Sequence, residues 1–507
     1  MLERNVVFKD FRNKIRVALV YPNFYVVGMA NLGFQIVYNI LNSLENVYCE
    51  RLFLDFDRSL ETNSKLGDFD IIAFSWQFEL DALNILKILH RNGIPLRREE
   101  RKQLVIVGGP CTVNPYPLKR FIDVFLIGEA EANVIPFIER FEIRKNAGNF
   151  SDVEGAYISA LDNPTKRAYL KNLNSYHPVI QIMSPETAFG ETFLLEVSRG
   201  CARGCRFCMG CFISRPPRER GLENLKEIVN RGIAANNPKK ITILGASVSD
   251  YSQIDKLCKF LLEKNLQISI PSLRADNLTA AIVDAMVKSG QKSLTLAPES
   301  NERLRAVMNK KLSDGEVSSA IKLALEHGIK KIKLYFMIGT PGEKLEDIYD
   351  VVNLVKKIEG NVRLSINPFV PKPHTPFQWF GFEEIAALNK KRKIFEKLRS
   401  CSFENFKEAF LQATIARGDE QLSRIIEKAF YHGGGMGAFR RAFREEGVEF
   451  NRYVKERAPD EALPWDKIDA GVKKKYLIEE YEKSLRGEVS DSCKDGCKKC
   501  GVCNGGI

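Results

Sequence analysis

Eight of the twelve cysteines lie in two short stretches that share one spacing. Residues 198–212 are "SRGCARGCRFCMGCF" and residues 493–503 are "CKDGCKKCGVC", so both contain the pattern C-x3-C-x2-C-x2-C. Closely spaced thiolates are the usual protein ligands of iron–sulfur clusters, and they also bind zinc. The pattern therefore predicts two metal sites, one in the middle of the chain and one at its end.

The first stretch supplies more thiolates than a substrate-binding cluster needs. A cubane has four irons, so three thiolates leave one iron open to chelate a small molecule through an amine and a carboxylate. Two consecutive sets of three are available: Cys201, Cys205 and Cys208, or Cys205, Cys208 and Cys211. A zinc site that uses all four thiolates is the structural alternative.

Two series of alternating elements surround these cysteines, and together they predict an α/β protein. In residues 1–142, apolar runs such as "IRVALVYP", "FDIIAFSW" and "QLVIVGGP" alternate with segments of helical period. Apolar runs without polar alternation are typical of strands that helices cover on both faces. We predict a doubly wound parallel sheet here, followed by a connector over residues 143–190.

A second series over residues 191–381 contains six strand signals, from "FLLEVSRG" to "RLSINPFVPKP", with helical segments between them. This pattern predicts a partial six-unit β/α barrel, whose chemistry lies on the loops that follow the strands. The first cysteine stretch occupies the first of these loops. Residues 382–488 are predicted to be mainly helical, and residues 489–507 form a polar, cysteine-rich tail that needs a metal to become ordered.

Composition places few limits on function. The net charge is +12, which would suit nucleic acid or an acidic partner, but Lys and Arg mostly alternate with Glu as on solvated helix faces. No stretch of eighteen apolar residues predicts a membrane span, and the charged N-terminus lacks the apolar core of a signal peptide. We therefore expect a cytoplasmic protein.

The motif Cys201-x3-Cys205-x2-Cys208, with Phe207 before its third Cys and a six-unit barrel around it, resembles the radical S-adenosylmethionine (radical SAM) superfamily. The resemblance implies a 4Fe–4S cluster that reductively cleaves S-adenosylmethionine to a 5′-deoxyadenosyl radical. It also favours the first set of three thiolates, because the second set would put Met209 where the superfamily has an aromatic residue near the adenine. Cys211 is then left either to pack or to face the substrate cavity.

The same resemblance assigns S-adenosylmethionine contacts to the ends of the later strands. The small residues Gly245, Ala246 and Ser247 would approach the methionine amine, and Arg274, near Ser272, would pair with the methionine carboxylate. Glu299 would accept hydrogen bonds from the ribose. Ile338 and Gly339 would pack against the adenine.

The sheet that precedes the barrel is similar to the cobalamin-binding domain of a large radical SAM subclass. The Gly pair after a strand and the "GE" ending of that domain correspond to Gly108, Gly109, Gly128 and Glu129, and its cobalamin would be walled by Tyr25, Trp76 and Tyr116. The Asp-x-His-x-x-Gly motif that supplies an axial His in other cobalamin proteins is absent, and only His90 lies in this region. The alternative is a vestigial sheet without cobalamin.

The whole chain resembles a large archaeal and bacterial group with these domains and the C-terminal motifs "PWDKIDAGV", "LIEEYEKSLRGE" and "CGVC". This resemblance favours a cobalamin-dependent C-methyltransferase that acts on an unactivated carbon, for example in a protein side chain, with an electron donor such as ferredoxin or flavodoxin. The alternatives are a non-methylating enzyme that forms C–C or C–S bonds on lipid or RNA, and a metal-dependent adaptor that binds nucleic acid. The tail would hold a second iron–sulfur cluster or a tetrathiolate metal, with a redox or a structural role, on Cys493, Cys497, Cys500 and Cys503.

Overall fold

The computed structural model describes residues 2–144, 150–398, 400–494 and 496–504. The chain divides into two compact units. Unit 1 comprises residues 1–191, 414–453 and 461–471, and unit 2 comprises residues 192–413, 454–460 and 472–507. Each unit therefore includes segments that are far apart in the sequence.

The strands, in chain order, are β1 (Ile15–Tyr21), β2 (Val47–Phe53), β3 (Ile71–Ser75), β4 (Leu104–Gly108), β5 (Val124–Leu126), β6 (Ala156–Ile158), β7 (Thr165–Lys166), β8 (Phe193–Glu196), β9 (Ser198–Arg199), β10 (Arg218–Glu219), β11 (Lys240–Leu244), β12 (Gln267–Ser269), β13 (Ser293–Glu299), β14 (Lys331–Ile338), β15 (Val362–Pro368), β16 (Cys401–Phe403) and β17 (Ile468–Asp469).

The α-helices are α1 (Tyr25–Gly28), α2 (Leu32–Ser43), α3 (Asp81–Arg91), α4 (Ala130–Arg144), α5 (Gly210–Ile213), α6 (Leu222–Asn236), α7 (Ile254–Glu263), α8 (Ala280–Lys288), α9 (Glu302–Val307), α10 (Asp314–Glu326), α11 (Leu345–Lys356), α12 (Ile385–Phe395), α13 (Phe406–Ala416), α14 (Glu420–Tyr431), α15 (Gly435–Glu445) and α16 (Lys474–Leu485).

Unit 1 is built on a six-stranded sheet with the order β2-β1-β3-β4-β5-β6. The first five strands are parallel and β6 is antiparallel to β5. Every residue of β2 is buried, including Glu50 and Arg51, which form ion pairs with Arg16 and Glu61. The predicted doubly wound sheet is confirmed, and its strand order reverses between β1 and β3.

Helices α14 and α15 belong to unit 1 although α14 begins at Glu420 and the sheet ends at Ile158, 262 positions earlier. The side-chain amide of Asn114 donates to the carbonyl oxygens of Ala416 and Gly418 at 3.0 and 2.9 Å. Arg97 and Arg120 both pair with Glu427 of α14, at 2.9 and 3.0 Å. These polar contacts fix the late helices against the loops of the sheet.

Unit 2 contains a three-stranded sheet, β12-β11-β8, and a four-stranded sheet, β13-β14-β15-β16, with parallel pairing throughout. A bridge between Leu273 and Leu296 joins the two sheets. The strands therefore follow one another in chain order, as in the predicted partial barrel, which is confirmed. The three-residue β16 is a further strand that the sequence analysis missed, because it is too short to show a periodic pattern.

Burial alternates along the strands of the four-stranded sheet. The aliphatic side chains of β14, such as Leu334 and Ile338, are fully buried, whereas Lys333, Tyr335 and Met337 are partly exposed. One face of the sheet is thus core, and the opposite face leaves polar side chains accessible. Residues 382–488 are mainly helical, as predicted. Among the described residues, no helix has the length and apolar character that crossing a membrane requires.

Candidate active site

The first cysteine loop runs from the end of β9 to α5. Gly200 and Gly204 adopt φ values of +79° and +74°, a left-handed conformation that favours glycine. The amide of Cys208 donates to the carbonyl of Cys205 at 3.0 Å, and the amide of Cys211 donates to that of Cys208 at 3.1 Å. The loop therefore coils through successive tight turns, which brings its cysteines to one place.

The four thiols of this loop meet at Cys211. The Cys211 thiol lies within hydrogen-bonding reach of Cys201, Cys205 and Cys208, and these interactions lower the pKa of each of the three and raise the pKa of Cys211 itself. The effect is largest at Cys205, whose pKa falls to about 6 although burial opposes the shift. The positive charges of Lys310 and Arg274 also contribute at Cys205. The surroundings thus shift all three thiols toward the anionic form, which is the form that binds metal.

This donor set fits a 4Fe–4S cluster with three protein ligands. Among the described residues, no three Cys, His, Asp or Glu side chains surround a single ion-sized position. A cubane does not require its ligands to surround one position, because each thiolate ligates its own iron at a separate corner. The three thiols of Cys201, Cys205 and Cys208, with cationic side chains beside them, satisfy the chemistry of such a cluster.

Two arginines and two aspartates form a network beside the loop. Arg203 Nε lies 2.8 Å from Asp250, and its Nη1 lies 2.8 Å from Asp276. Arg274 also contacts Asp276, at 2.9 and 3.1 Å. Arg274 is close enough to Cys205 to lower the pKa of its thiol, and its guanidinium has a carboxylate partner in the chain, so its predicted contact with the methionine carboxylate stays a prediction. A bound carboxylate would share Arg274 with Asp276.

Glu299 also has a charged partner that the sequence analysis missed. Its carboxylate accepts a hydrogen bond at 2.9 Å from Lys310, which is buried. Glu299 itself has a φ of +71°, at a register shift where β13 leaves its neighbour β14. Lys310 gave no signal in the sequence, because "NKKLSD" has the polar composition of a solvated turn.

The small-residue motif after β11 is accessible at its first two positions. Gly245 and Ala246 are exposed, and Ser247 is half-buried. A Cβ atom on Gly245 would lie 2.9 Å from the Ser198 hydroxyl, so the neighbouring segment leaves no room for a side chain. The backbone of Gly245 is therefore open to a ligand on one side and tightly packed on the other.

The end of β14 is held by a buried ionic cluster. Gly339 has a φ of +76°, and its amide donates to Glu343 at 3.0 Å. Lys391 bridges Glu343 and Glu383 at 2.5 and 2.6 Å. Ile338 is fully buried, so Gly339 is the residue of this pair whose backbone is accessible to a ligand at the end of β14.

Phe207 packs against an apolar cluster in unit 2 rather than standing free. The residues of this cluster are Leu304, Val307, Met308, Phe369 and Phe377. Phe207 is only partly buried there. This apolar packing anchors the loop between Cys205 and Cys208, the second and third predicted ligands of the iron–sulfur cluster.

Two further polar residues lie on the accessible face of β14. Lys333 donates a hydrogen bond to the Tyr335 hydroxyl at 2.8 Å, and its ammonium lies 4.6 Å from the centre of the Tyr335 ring. Alternation along a strand puts both side chains on the same face as Met337. They are candidates for substrate contact that the apolar run "KIKLYFMI" did not single out.

In unit 1 the predicted Gly-rich positions are tightly packed within the chain. Gly109 has a φ of +112°, and a Cβ atom there would lie 2.5 Å from the Trp76 carbonyl oxygen. Gly128 has a φ of +115°, and a Cβ atom there would collide with the backbone of Ala168. Close chain packing therefore accounts for both glycines, and their role toward cobalamin stays a prediction.

Gly108 and Glu129, which lie next to these two glycines, differ in their contacts within the chain. A Cβ atom on Gly108 would meet nothing closer than 4.0 Å, so this position could carry a side chain. The Glu129 carboxylate accepts a hydrogen bond from the Leu170 amide at 3.0 Å. The predicted cobalamin contacts of Gly108 and Glu129 also stay predictions.

The aromatic residues predicted to wall cobalamin are core residues. Tyr25 is buried and donates its hydroxyl to Glu3 at 2.7 Å, and Tyr116 donates to Asp162 at 2.9 Å. Trp76 is buried after β3, and its indole N–H has no hydrogen-bond partner. His90 ends α3, at the edge of the sheet opposite the carboxyl ends of the strands, so it cannot serve as an axial ligand there.

The topological switch point of unit 1 lies between β1 and β3, the position where doubly wound sheets bind ligands. Asp81, at the start of α3, accepts hydrogen bonds at 3.0 and 3.1 Å from Asn23 and Asn84. Burial raises the pKa of Asp81 to about 6. Phe24 and Phe78 are 53% and 38% exposed on the adjoining loops, so this edge offers apolar surface beside a buried carboxyl group.

The four tail cysteines lie in unit 2 and differ in their burial. Cys500 is buried, Cys493 and Cys497 are half-buried, and Cys503 is exposed. Burial raises the pKa of Cys493, the charge of Arg215 lowers it, and the other three tail thiols act on it electrostatically in the same direction as burial. The four thiols are thus near one another.

The two units correspond to two known protein families. Residues 33–157 match the family described as radical SAM proteins, N-terminal, and residues 195–355 match the radical SAM superfamily. The uncharacterized protein MJ0966 of Methanocaldococcus jannaschii is 36% identical over 423 residues, which cover 81% of this chain and 90% of that protein. The chain belongs to the radical SAM superfamily.

This radical SAM protein is also similar to proteins of stated activity. The ribosomal protein uS12 methylthiotransferase RimO of Pelotomaculum thermopropionicum is 21% identical over 442 residues, 81% of this chain and 92% of that protein. Two structures of the radical S-adenosylmethionine methyltransferase TsrM from Kitasatospora setae share its fold. Their TM-scores are 0.53 and 0.52 at 13% and 12% identity, over 72% of this chain and 74% of that one. One TsrM structure has cobalamin and a [4Fe-4S] cluster bound, and the other has tryptophan and a SAM analogue.

Proposed function

We propose that this radical SAM enzyme cleaves S-adenosylmethionine at a 4Fe–4S cluster held by Cys201, Cys205 and Cys208. The single observation that carries this proposal is the convergence of these three thiols on Cys211, on the loop that follows the first barrel strands. When bound, such a cluster supplies the electron that splits S-adenosylmethionine into methionine and a 5′-deoxyadenosyl radical. An electron donor such as ferredoxin or flavodoxin belongs to the proposal.

The residues of the chain bind and orient the substrates around this cluster. The exposed backbone at Gly245 and Ala246 would receive the methionine amine, and Arg274 would pair with the methionine carboxylate. Lys310 holds one oxygen of the Glu299 carboxylate, and the carboxylate would accept hydrogen bonds from the ribose hydroxyls. Lys333 and Tyr335 would contact the second substrate on the accessible face of β14.

We further propose that the product is a methylated carbon and that unit 1 binds cobalamin. Exposed apolar side chains at the switch point fit the face of a large ring, and the TsrM structures support the assignment of this fold to cobalamin. Cobalamin, when bound, supplies the methyl group. The substrate carbon, for example in a protein side chain, would lie against Lys333 and Tyr335, which orient it and exclude water.

A second candidate is the formation of a carbon–sulfur bond on RNA or protein. Two observations favour it: the methylthiotransferase relative covers 81% of the chain, and the tail carries a second set of four cysteines. In this case the sheet of unit 1 would only help to position the substrate. The two candidates differ in cobalt content, because only the first requires cobalamin.

Anaerobic reconstitution tests both the cleavage of S-adenosylmethionine and the proposed use of cobalamin. We expect wild-type protein to contain iron and cobalt and to form 5′-deoxyadenosine only with a reductant. Cys208→Ala should abolish cleavage and lose the iron of the first-loop cluster, whereas the matched variant Cys211→Ala should keep the wild-type iron content, because Cys211 is not a proposed ligand. Iron without cobalt would favour carbon–sulfur bond formation. Zinc alone, or no reductant-dependent 5′-deoxyadenosine, would refute the enzyme itself.

A further inference from the structure

The cysteine tail is attached to the first cysteine loop by backbone and side-chain hydrogen bonds. The amide of Cys493 donates to the carbonyl of Ala202 at 2.7 Å. The amide of Ser490 donates to the side chain of Asn309 at 2.8 Å, and the amide group of Asn309 donates back to Gly204 at 3.2 Å. The tail therefore contacts the loop directly beside Cys201, and it is linked through Asn309 to the residue before Cys205.

Arg215 connects the two sets of cysteines. Its Nε donates to the carbonyl of Cys211 at 3.0 Å, and its guanidinium is hydrogen-bonded to the thiol of Cys500. The same group lies 4.9 and 5.3 Å from the centres of the Phe212 and Tyr476 rings. The Arg215 side chain is buried, so its charge is not dispersed by solvent and acts on both sets.

The composition of the tail does not explain why Cys500 is buried. Residues 489–504 contain almost no apolar side chains, yet Cys500 is buried and its carbonyl accepts a hydrogen bond from the Lys473 amide at 3.0 Å. The tail thus places a sulfur atom in the interior of unit 2, with the buried Arg215 guanidinium beside it. An iron–sulfur cluster with four thiolate ligands carries negative charge, which a buried cation next to it stabilises.

We propose that Cys493, Cys497, Cys500 and Cys503 hold a second iron–sulfur cluster, and that Arg215 is the counter-charge shared by this cluster and the first cysteine loop. This proposal deepens the proposed function and rests on it only for the identity of the first cluster. The spacing of the two loops is the same, so the tail can wrap a cubane as the first loop does. Because all four tail thiolates are used, this second cluster has no open iron.

Two sets of variants separate the second cluster from the first. After anaerobic reconstitution the wild type should contain about eight irons per chain, and a variant lacking either set of cysteines should contain about four. In C201A/C205A/C208A the reduced cluster should give an electron paramagnetic resonance signal that S-adenosylmethionine does not alter. In C493A/C497A/C500A/C503A the signal of the remaining cluster should change when S-adenosylmethionine is added.

The iron contents of these variants distinguish a failure of the second cluster from a failure of the proposed function. A first-loop variant that holds no iron, or holds zinc in the tail, would overturn the second cluster and leave the enzyme assignment intact. A tail variant that holds no iron while the first-loop variant holds about four would support the second cluster and overturn the proposed function.

The role of Arg215 has its own test. Arg215→Gln should lower the iron content of the tail in the C201A/C205A/C208A background, and Arg215→Lys should restore part of it because the charge is kept. Arg486→Gln, at an exposed arginine, is the matched control and should leave the iron content unchanged. Circular dichroism checks that each variant is folded. Iron retention in a folded Arg215→Gln variant would overturn the counter-charge role.

Discussion

Arg206 of the first cysteine loop is buried against Glu480 of α16, with its Nη2 and Nε atoms 3.0 and 3.2 Å from one carboxylate oxygen. Both side chains are almost completely inaccessible. Arg206 also donates to the carbonyl oxygens of Val307 and Glu488, at 2.9 and 2.8 Å. A single guanidinium thus ties the metal-binding loop to the segment that leads into the tail.

Glu480→Gln should destabilise unit 2, because it leaves the buried Arg206 cation without its anionic partner. We expect a loss of about 3 to 5 kcal/mol in the free energy of unfolding, measured by denaturant titration. Glu396→Gln is the matched control, since Glu396 pairs with Arg392 on a half-exposed helix face. Its loss should stay within about 0.5 kcal/mol. Equal effects in the two variants would contradict the structural role of the buried pair.

The same pair predicts a pH dependence at acid pH. Burial alone would raise the pKa of Glu480, but hydrogen bonds from Ser490 and Lys483 and the charge of Arg206 lower it below its usual 4.5. A carboxyl group with a lowered pKa stabilises the folded state above its unfolded pKa and loses this contribution as the pH falls through its folded pKa. The stability difference between wild type and Glu480→Gln should therefore be constant above pH 4.5 and shrink below it. A difference that grew on acidification would contradict this assignment.

Gly128→Ala tests whether the "GE" turn of unit 1 is required by the chain itself. A methyl group there would collide with the backbone of Ala168, and the φ of +115° is unfavourable for alanine. We expect a destabilisation of about 3 kcal/mol or more. Gly93→Ala shares a positive φ but has open space around it, so it should cost about 1 kcal/mol. If Gly128→Ala were as mild as Gly93→Ala, packing would not explain this glycine.

Lys498→Glu/Lys499→Glu should weaken reduction by an acidic electron carrier. Both lysines are exposed in the tail, close to the exposed Cys503. Attraction between charged surfaces raises association rates and is screened by salt. Reduction by ferredoxin or flavodoxin should therefore slow in this variant at low ionic strength and converge with wild type at high salt, in stopped-flow absorbance. Lys256→Glu/Lys259→Glu, on the exposed face of α7, is the control, and equal slowing there would argue against docking at the tail.

Local patterns in the sequence were sufficient to predict the fold class. The apolar runs of β1, β3 and β4, and the six strand signals of the barrel, all became strands at the expected places. Burial on both faces of a parallel sheet imposes a run of apolar residues, and this requirement is visible without any long-range information. The cysteine spacing likewise predicted the convergence of Cys201, Cys205 and Cys208, because eight residues of loop cannot separate them far.

Only the tertiary structure decided which charges meet at the site. Arg274 and Arg203 share Asp276, Glu299 pairs with Lys310, and Arg206 pairs with Glu480. Each of these pairs except Arg274–Asp276 joins residues that are 11 to 274 positions apart in the sequence, and periodicity, which acts over a few residues, cannot predict such pairs. The role of Cys211 also depended on the fold, since its spacing from Cys208 equals that of Cys208 from Cys205.

The sequence by itself thus determined the elements and the metal-binding residue types, because propensity and periodicity act over a few neighbouring residues. The tertiary structure decided the partners of the buried charges, the attachment of the tail to the first cysteine loop and the inclusion of α14 and α15 in unit 1. The physical reason is that an ion pair or a buried arginine is stabilised by groups that come close only after the chain has folded.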